Sequence, residues 1–446
     1  MRSNLILLMC VTYLVSYFFR FDWLQWFLGA LTIIVFVGSL GGAKTAPRAF
    51  SLVMFSAAAI LVMGRENGME EMLADVSVNL SLLTLVTLVP LMAIPLRTGG
   101  FFPAIHYTIA KWTADPRKLF GGMALFVFCL GPLLNMGAIR ILHEMVREVK
   151  LGSTFLAKAY LLGFSALMLW SPYFASVASV LLYLDVPIQT YLPLGFSLAV
   201  VQLLVGNVLF AIWLRRQKGT FGRLSDDIPG NEQIHMNKKM KQLAAIVIGL
   251  MLVTLLLEYA TKLPMLILVI LIVITFPLTW CVASGKWKEW KVSFQEFRQN
   301  SVPMMNNEIV LMISAGFFGQ ALNGTTFAEG VESLVNALAA ESFLLFVVTV
   351  MLSFVMLTFL GIHPLVLVTI LASSLDAEMI GTSKAVLALM LMISWSISSV
   401  LSPTNPLNIL VSSLVQQPGI RVGARDNGLL LASSFVLGIL YVYWLH

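Results

Sequence analysis

Apolar runs separated by short polar stretches fill this chain, and eleven of them are long enough to cross a bilayer at about 20 residues per span. They fall at 4–20, 22–40, 49–63, 76–96, 155–184, 192–214, 242–259, 264–283, 303–322, 385–416 and 427–445. None alternates strictly between apolar and polar positions, so the pattern predicts helices and not a membrane barrel. Two further apolar stretches, 119–149 and 341–375, are interrupted near their middles by glycine and proline. Broken backbone inside hydrocarbon is tolerated only where it is buried in protein or lines a cavity. Each stretch is therefore read as a re-entrant hairpin, entering and leaving on one side. The expected fold is an all-α integral membrane protein of about eleven transmembrane helices.

The interruptions repeat. Gly131-Pro132-Leu133-Leu134-Asn135 is followed by Trp170-Ser171-Pro172, and Gly361-Ile362-His363-Pro364 is followed by Leu401-Ser402-Pro403-Thr404-Asn405-Pro406. Gly131 and Ser171 are 40 residues apart, Gly361 and Ser402 are 41, and the two pairs superpose at an offset of 230 to 231. The second member of each pair lies inside a span, so 155–184 and 385–416 are expected to be broken helices. After the first helix each half has five crossings, an odd number, which forces the halves into opposite orientations. This is an inverted-topology repeat. The division is 1–20 as an extra helix, 21–214 as the first repeat, 215–242 as a linker and 243–446 as the second repeat. A competing match of Gly100-x-x-Pro103 to Gly361-x-x-Pro364 at offset 261 is set aside because no second break follows it.

Composition agrees with a lipid-solvated chain: 59% hydrophobic, 11% charged and a mean hydropathy of +0.90, against roughly 25% charged for a soluble chain. The net charge of +6 sits in loops, where it orients the protein and does not indicate nucleic acid. Lys44, Arg48, Arg97, Lys111, Arg117, Lys118, Arg147, Lys150, Lys286, Lys288, Lys291, Arg421 and Arg425 fall on one predicted side; Glu66, Glu70, Glu71, Asp75, Asp185, Glu329, Glu332, Asp376 and Glu378 fall on the other, with Arg65, Lys262 and Lys384 running against the bias. The positive-inside rule then gives a multi-pass protein of the plasma membrane, N-terminus inside and C-terminus outside. The hydrophilic segment around Arg215, Lys218, Arg223 and Lys238 reads as a cytoplasmic connector. The N-terminal run has no small-x-small cleavage pattern and is read as a first transmembrane helix. Cys10, Cys129 and Cys281 lie in apolar segments without metal-ligand spacing and read as core thiols.

Each interruption frees the last carbonyls of one half-helix and the first amides of the next. Freed amides suit an anion, and freed carbonyls suit sodium. The candidate substrate-binding residues are Gly131, Asn135, Ser171, Tyr173, Gly361, His363, Thr404 and Asn405, and the candidate sodium set is Asn135, Ser171, Ser402, Thr404 and Asn405. Ser176, Ser179 and Thr369 have an equally ordinary reading as hydroxyls bonded to their own helix. His363 is either a proton carrier or a neutral residue holding the tip shut. Arg140, Glu258 and Glu308 read as interfacial. No zinc-protease, serine-hydrolase or nucleotide-binding motif is present, so neither an enzyme nor a primary pump is expected.

With these residues in view, the chain resembles the ion transporter superfamily, which includes divalent-anion/sodium symporters, citrate transporters and arsenite permeases. Ser402-Pro403-Thr404-Asn405-Pro406 looks like that family's proline-rich loop in the second broken helix, and Trp170-Ser171-Pro172 is its weaker counterpart. The Ser-Asn-Thr tips of the dicarboxylate symporters are absent, replaced by the two glycine-proline tips. The resemblance implies elevator-type transport of a small anion coupled to Na+ or H+, with no other cofactor and a homodimeric scaffold. A channel, or a non-transporting module of a larger membrane complex, is the alternative.

Overall fold

The computed structural model describes residues 2–113, 115–149, 151–216 and 230–446. Lys218 and Arg223 of the expected connector lie outside them. The described residues form helices and turns with no strand, and nine helices among them are long and apolar enough to cross a membrane. The difference from the eleven expected spans is one of helix length. Arg2–Phe18 and Asn306–Leu322 have 17 residues each, and the span expected at 155–184 is split in two. Conversely Pro116–Leu134, an arm of the first hairpin, reaches spanning length by itself.

The same order of elements runs twice. A helix pair, Asp22–Leu40 and Thr45–Met63, precedes the short helix Gly68–Asp75 and the helical run 80–98. The hairpin Pro116–Leu134 with Gly137–Val146 follows, then the broken helix Ser153–Met168 with Ala175–Tyr183, then Ile188–Arg215. The second pass reads Gly230–Thr261 and Met265–Ala283, Trp287–Glu296, Asn306–Leu322, Phe343–Phe359 with Pro364–Ser374, Lys384–Leu401 with Pro406–Val415, and Asn427–Leu445. This is the all-α membrane fold with two hairpins and two broken helices.

Three details differ from the sequence expectation. The helix expected from residue 242 begins at Gly230, so the second part of the 215–242 connector is helical. Phe102–Trp112 and Thr326–Glu341 are separate helices in equivalent places, each just before a hairpin. They are amphipathic and too short to register as spans. Pro103 sits in the first turn of Phe102–Trp112, where its missing N–H costs nothing. The Gly100-x-x-Pro103 match therefore marks a helix start and not a third tip.

Each hairpin begins at a side-chain cap. Asp115 accepts from the Arg117 amide at 2.9 Å, and Ser342 accepts from the Leu345 amide at 3.5 Å. The first tip turns at Asn135 with φ +50° and ψ −136°, outside the left-handed helical region that asparagine tolerates. The second turns at Gly361 with φ +107°, where a side chain would be strained.

The broken helices occupy the core. Every residue from Ala385 to Val400 is buried, and so is nearly all of Ser153–Met168. Ser394, Ser396, Ser398 and Ser399 lie within this buried run, and polar side chains in a membrane helix favour the protein interior over lipid. The Ser396 hydroxyl donates to the Ser165 carbonyl at 2.9 Å, 231 residues away in sequence. Ser153 and Lys384, the first residues of the two helices, are separated by the same 231 positions. Equivalent residues of the two repeats thus touch, so the pseudo-two-fold axis passes between them. Gln202 donates to the Ser165 hydroxyl at 2.7 Å and completes this buried polar crossing.

Candidate functional site at the helix interruptions

Ser171, Pro172, Tyr173 and Phe174 in the first uncoiled turn stand at the positions of Ser402, Pro403, Thr404 and Asn405 in the second. The fold positions the two turns alike. Each lies beside the long arm of its own hairpin: Gly131 presses on the Leu167 side chain, Phe128 and Trp170 have ring centroids 5.3 Å apart, and Ser402 bonds Thr358. The second half of each broken helix packs on the short arm of the other repeat's hairpin, Ala175–Tyr183 on Pro364–Ser374 and Pro406–Val415 on Gly137–Val146. All four interruptions are thereby held in one interlocked unit.

The second turn is closed upon itself. The Ser402 hydroxyl donates to the Thr358 carbonyl at 3.0 Å, and the same carbonyl accepts from the Gly361 amide at 3.1 Å. One oxygen therefore ties the hairpin tip to the break. Ser402 and Thr404 hydroxyl oxygens lie 2.9 Å apart. Asn405 Oδ1 accepts from the Leu407 amide at 3.0 Å while its Nδ2 donates to Ser399 Oγ at 3.4 Å. Asn408, deeper in the same helix, donates to the carbonyls of Val400 at 2.6 Å and Gly419 at 3.1 Å. Neutral oxygens dominate here, the donor set that a hard monovalent cation takes. Ser402, Thr404 and Asn405 of the expected sodium set are brought together; Asn135 and Ser171 belong to other turns.

The first turn keeps the serine and the proline but differs at the two positions after them. Tyr173 turns away toward Gly230–Thr261, its hydroxyl 2.6 Å from that of Thr254. Phe174 replaces the capping asparagine and brings no side-chain acceptor to Ala175–Tyr183. Trp170 Nε1 and the hydroxyls of Ser171 and Ser176 are buried without a partner among the described residues.

At the tips, Asn135 Oδ1 accepts from the Met136 amide at 2.7 Å, and His363 Nδ1 accepts from the Leu365 amide at 3.2 Å. His363 is the N-cap of the short arm Pro364–Ser374, a structural task at the tip whose capping form the sequence did not specify. Ser179 donates to the Ser176 carbonyl at 3.0 Å and Thr369 to that of Leu365 at 2.9 Å, the ordinary back-bonding anticipated for both. Arg140 is exposed. Glu308 and Glu258 are half-buried, and each has one carboxylate oxygen without a partner among the described residues.

Several polar residues escaped the sequence reading. Asn79 accepts from the Tyr183 hydroxyl and donates to the Met312 carbonyl at 2.9 Å. Lys158 donates to the Asp426 carbonyl, and Thr154 Oγ1 lies 3.4 Å from Asp426 Oδ1. An amide or ion within or at the edge of a span, as at Asn79, Lys158 and Gln202, was the available signal. No cluster of three or more His, Cys, Asp or Glu side chains able to hold a metal occurs among the described residues.

No protein-family model and no curated protein matches the chain. Solved structures do. The YdaH transporter of Alcanivorax borkumensis, described as having an unusual topology, aligns over 89% of this chain and 97% of its own with TM-score 0.60 and 15% identity. MtrF of Neisseria gonorrhoeae, described as illuminating a class of antimetabolite efflux pumps, aligns over 90% and 95% with TM-score 0.54 and 13% identity. At these identities the likeness is one of fold, and the chain has the fold of these membrane transporters.

Proposed function

We propose that this protein is a secondary active transporter that moves a small anion across the plasma membrane, coupled to Na+ or H+, by elevator-type alternating access. The observation that carries the reading is the packing of each broken helix against the hairpin of the opposite repeat about an axis through Ser165 and Ser396. Such an arrangement surrounds one site with two gates related by symmetry, which alternating access requires. The oxygen-rich second turn would hold the coupling cation through Ser402, Thr404 and Asn405.

The test uses cysteines at Asn135 and His363 in an otherwise cysteine-free chain. A short bifunctional reagent should crosslink them, and substrate or ion should change the reactivity of both together. Tips separated by much more than about 15 Å, half of the ~30 Å hydrocarbon thickness, or responses at one tip alone, would remove the shared site.

A further inference from the structure

The helices Ile188–Arg215 and Asn427–Leu445 pack on one another and leave a groove of ≈ 300 Å³ between them. Its walls are Leu198, Val201, Leu437 and Leu440, and from Leu437 to Trp444 it follows about 10 Å of helix. Both helices belong to segments long and apolar enough to cross a membrane. Val201, Leu440 and Trp444 are 40%, 59% and 76% exposed, so the groove opens on hydrocarbon and not on water. One end is polar. Ser197 Oγ lies 2.7 Å from the Tyr441 hydroxyl, and Tyr441 stacks with Trp444 at 6.1 Å between ring centroids. Tyr441 and Trp444 stand in the last two turns of the final helix, the level at which amphipathic rings meet the headgroups.

The polar end is not a product of the repeat. A Cβ on Gly206 would meet Leu162 and one on Gly438 would meet Ile393; Leu162 and Ile393 are 231 residues apart, like the two broken helices that carry them. Gly206 and Gly438 are therefore equivalent, at a spacing of 232. At that spacing Ser197 corresponds to Leu429 and Tyr441 to Leu209. Where one end of the helix pair has two hydroxyls, the other has two leucines.

Each hydroxyl has one proton to give. Ser197 donates to the Leu194 carbonyl at 2.9 Å; when it turns to the Tyr441 oxygen instead, the tyrosine proton is free for an outside acceptor. A bilayer supplies an amphiphile already oriented to use it, polar end at the interface and chain inward. We propose that the groove holds one acyl chain of a membrane phospholipid, its ester carbonyl accepting from Tyr441 and its methylenes lying along Leu198, Val201, Leu437 and Leu440. An apolar cavity of about 150 Å³ admits benzene, so a groove twice as large has room for the upper part of a chain. Leu198 and Leu437 also bound a small inner space of ≈ 10 Å³ that Gln202 and Ser396 reach. A bound chain thus backs the polar crossing of the two broken helices, and its presence stabilises the fold. The site needs only the membrane fold and stands without the transport reading.

The probe is 1-palmitoyl-2-oleoylphosphatidylcholine, added to the delipidated full chain in detergent, with hexadecane as a chain that has no ester. Native mass spectrometry should find one phospholipid per protein at saturation, and the thermal midpoint should rise with it. Hexadecane should bind about tenfold more weakly for want of the hydrogen bond. Tyr441→Phe should weaken the phospholipid about tenfold and leave hexadecane unchanged. Val201→Trp puts an indole into the groove from an exposed position, and should keep the apo midpoint while losing the phospholipid. Phosphatidylcholine brominated on its acyl chain should quench a part of the tryptophan emission that Trp444→Phe lacks, which reads the groove even where Val201→Trp does not fold. No phospholipid at one per protein, equal affinities for phospholipid and hexadecane, undiminished binding in Val201→Trp, or quenching that Trp444→Phe leaves intact would each overturn the proposal. So would a dimer that Val201→Trp takes apart, which would give the groove to a second copy of the chain.

Discussion

Asn405 concentrates two tasks in one side chain. Its Oδ1 caps Pro406–Val415 through the Leu407 amide, and its position beside Ser402 and Thr404 places an amide oxygen in the proposed cation site. Asparagine serves both because a short acceptor can satisfy a helix start while a second lone pair stays free. The two tasks separate by substitution. Asn405→Ala should lose about 1 kcal/mol of stability with the cap and abolish sodium-dependent stabilisation in a thermal-shift titration against choline. Asn405→Ser should recover most of the stability, since serine caps well, without recovering the sodium response, because its oxygen is drawn back toward the backbone. Sodium dependence that persists in the alanine variant would take the cation away from this turn. At Tyr173, its neighbour in the symmetry-related turn, the hydroxyl is engaged with Thr254 and makes a contact between elements.

The seams between elements show what a linear reading captures and what it misses. Both hairpins and both broken helices were legible because proline and glycine act on the backbone locally, and local effects are written in the local sequence. His363 as a cap and the unpartnered Trp170 indole were not legible, since each depends on which neighbours three-dimensional packing supplies. The short helix Thr326–Glu341 was missed for a related reason: its hydrophobic stripe is too narrow for a span and acquires meaning only once it packs against Phe343–Phe359 and Pro364–Ser374. Gly163 is the sharpest case of packing hidden from sequence. It lies where the first broken helix crosses the long arm of the first hairpin, and a Cβ there would come within 2.3 Å of the Ala124 carbonyl oxygen. Gly163→Ala should therefore push two core helices apart and cost about 1–3 kcal/mol, seen as a lower thermal midpoint. Gly249, within Gly230–Thr261, has nothing within 4 Å of its would-be Cβ, so Gly249→Ala should raise stability by about 0.5–1 kcal/mol through helix propensity. Equal midpoints for the two variants would contradict the close crossing.

At the scale of the whole molecule, inversion of the repeat requires equivalent elements to lie on opposite sides of the membrane, and their charges follow that requirement. Gly68–Asp75 and Trp287–Glu296 each follow a helix pair; the first carries only acidic charges, Glu70, Glu71 and Asp75, while the second carries Lys288 and Lys291 beside Glu289 and Glu296 and is preceded by Lys286. Phe102–Trp112 and Thr326–Glu341 each precede a hairpin; the first bears Lys111, and the second bears Glu329 and Glu332. In each pair lysine occurs in one helix and its counterpart in the other repeat carries acidic charge alone. Positive charge is retained on the cytoplasmic side, so Lys111 and Lys288 should be cytoplasmic, and Glu70 and Glu332 external. All four side chains are exposed, which makes them suitable for labelling. Single cysteines in a cysteine-free background, treated in intact cells with a membrane-impermeant maleimide, should react at 70 and 332 and resist at 111 and 288. In inside-out vesicles the pattern should reverse. Labelling of 70 and 288 from one side would mean that the repeats run parallel, and the two uncoiled turns could not then form two-fold-related halves of one alternating site.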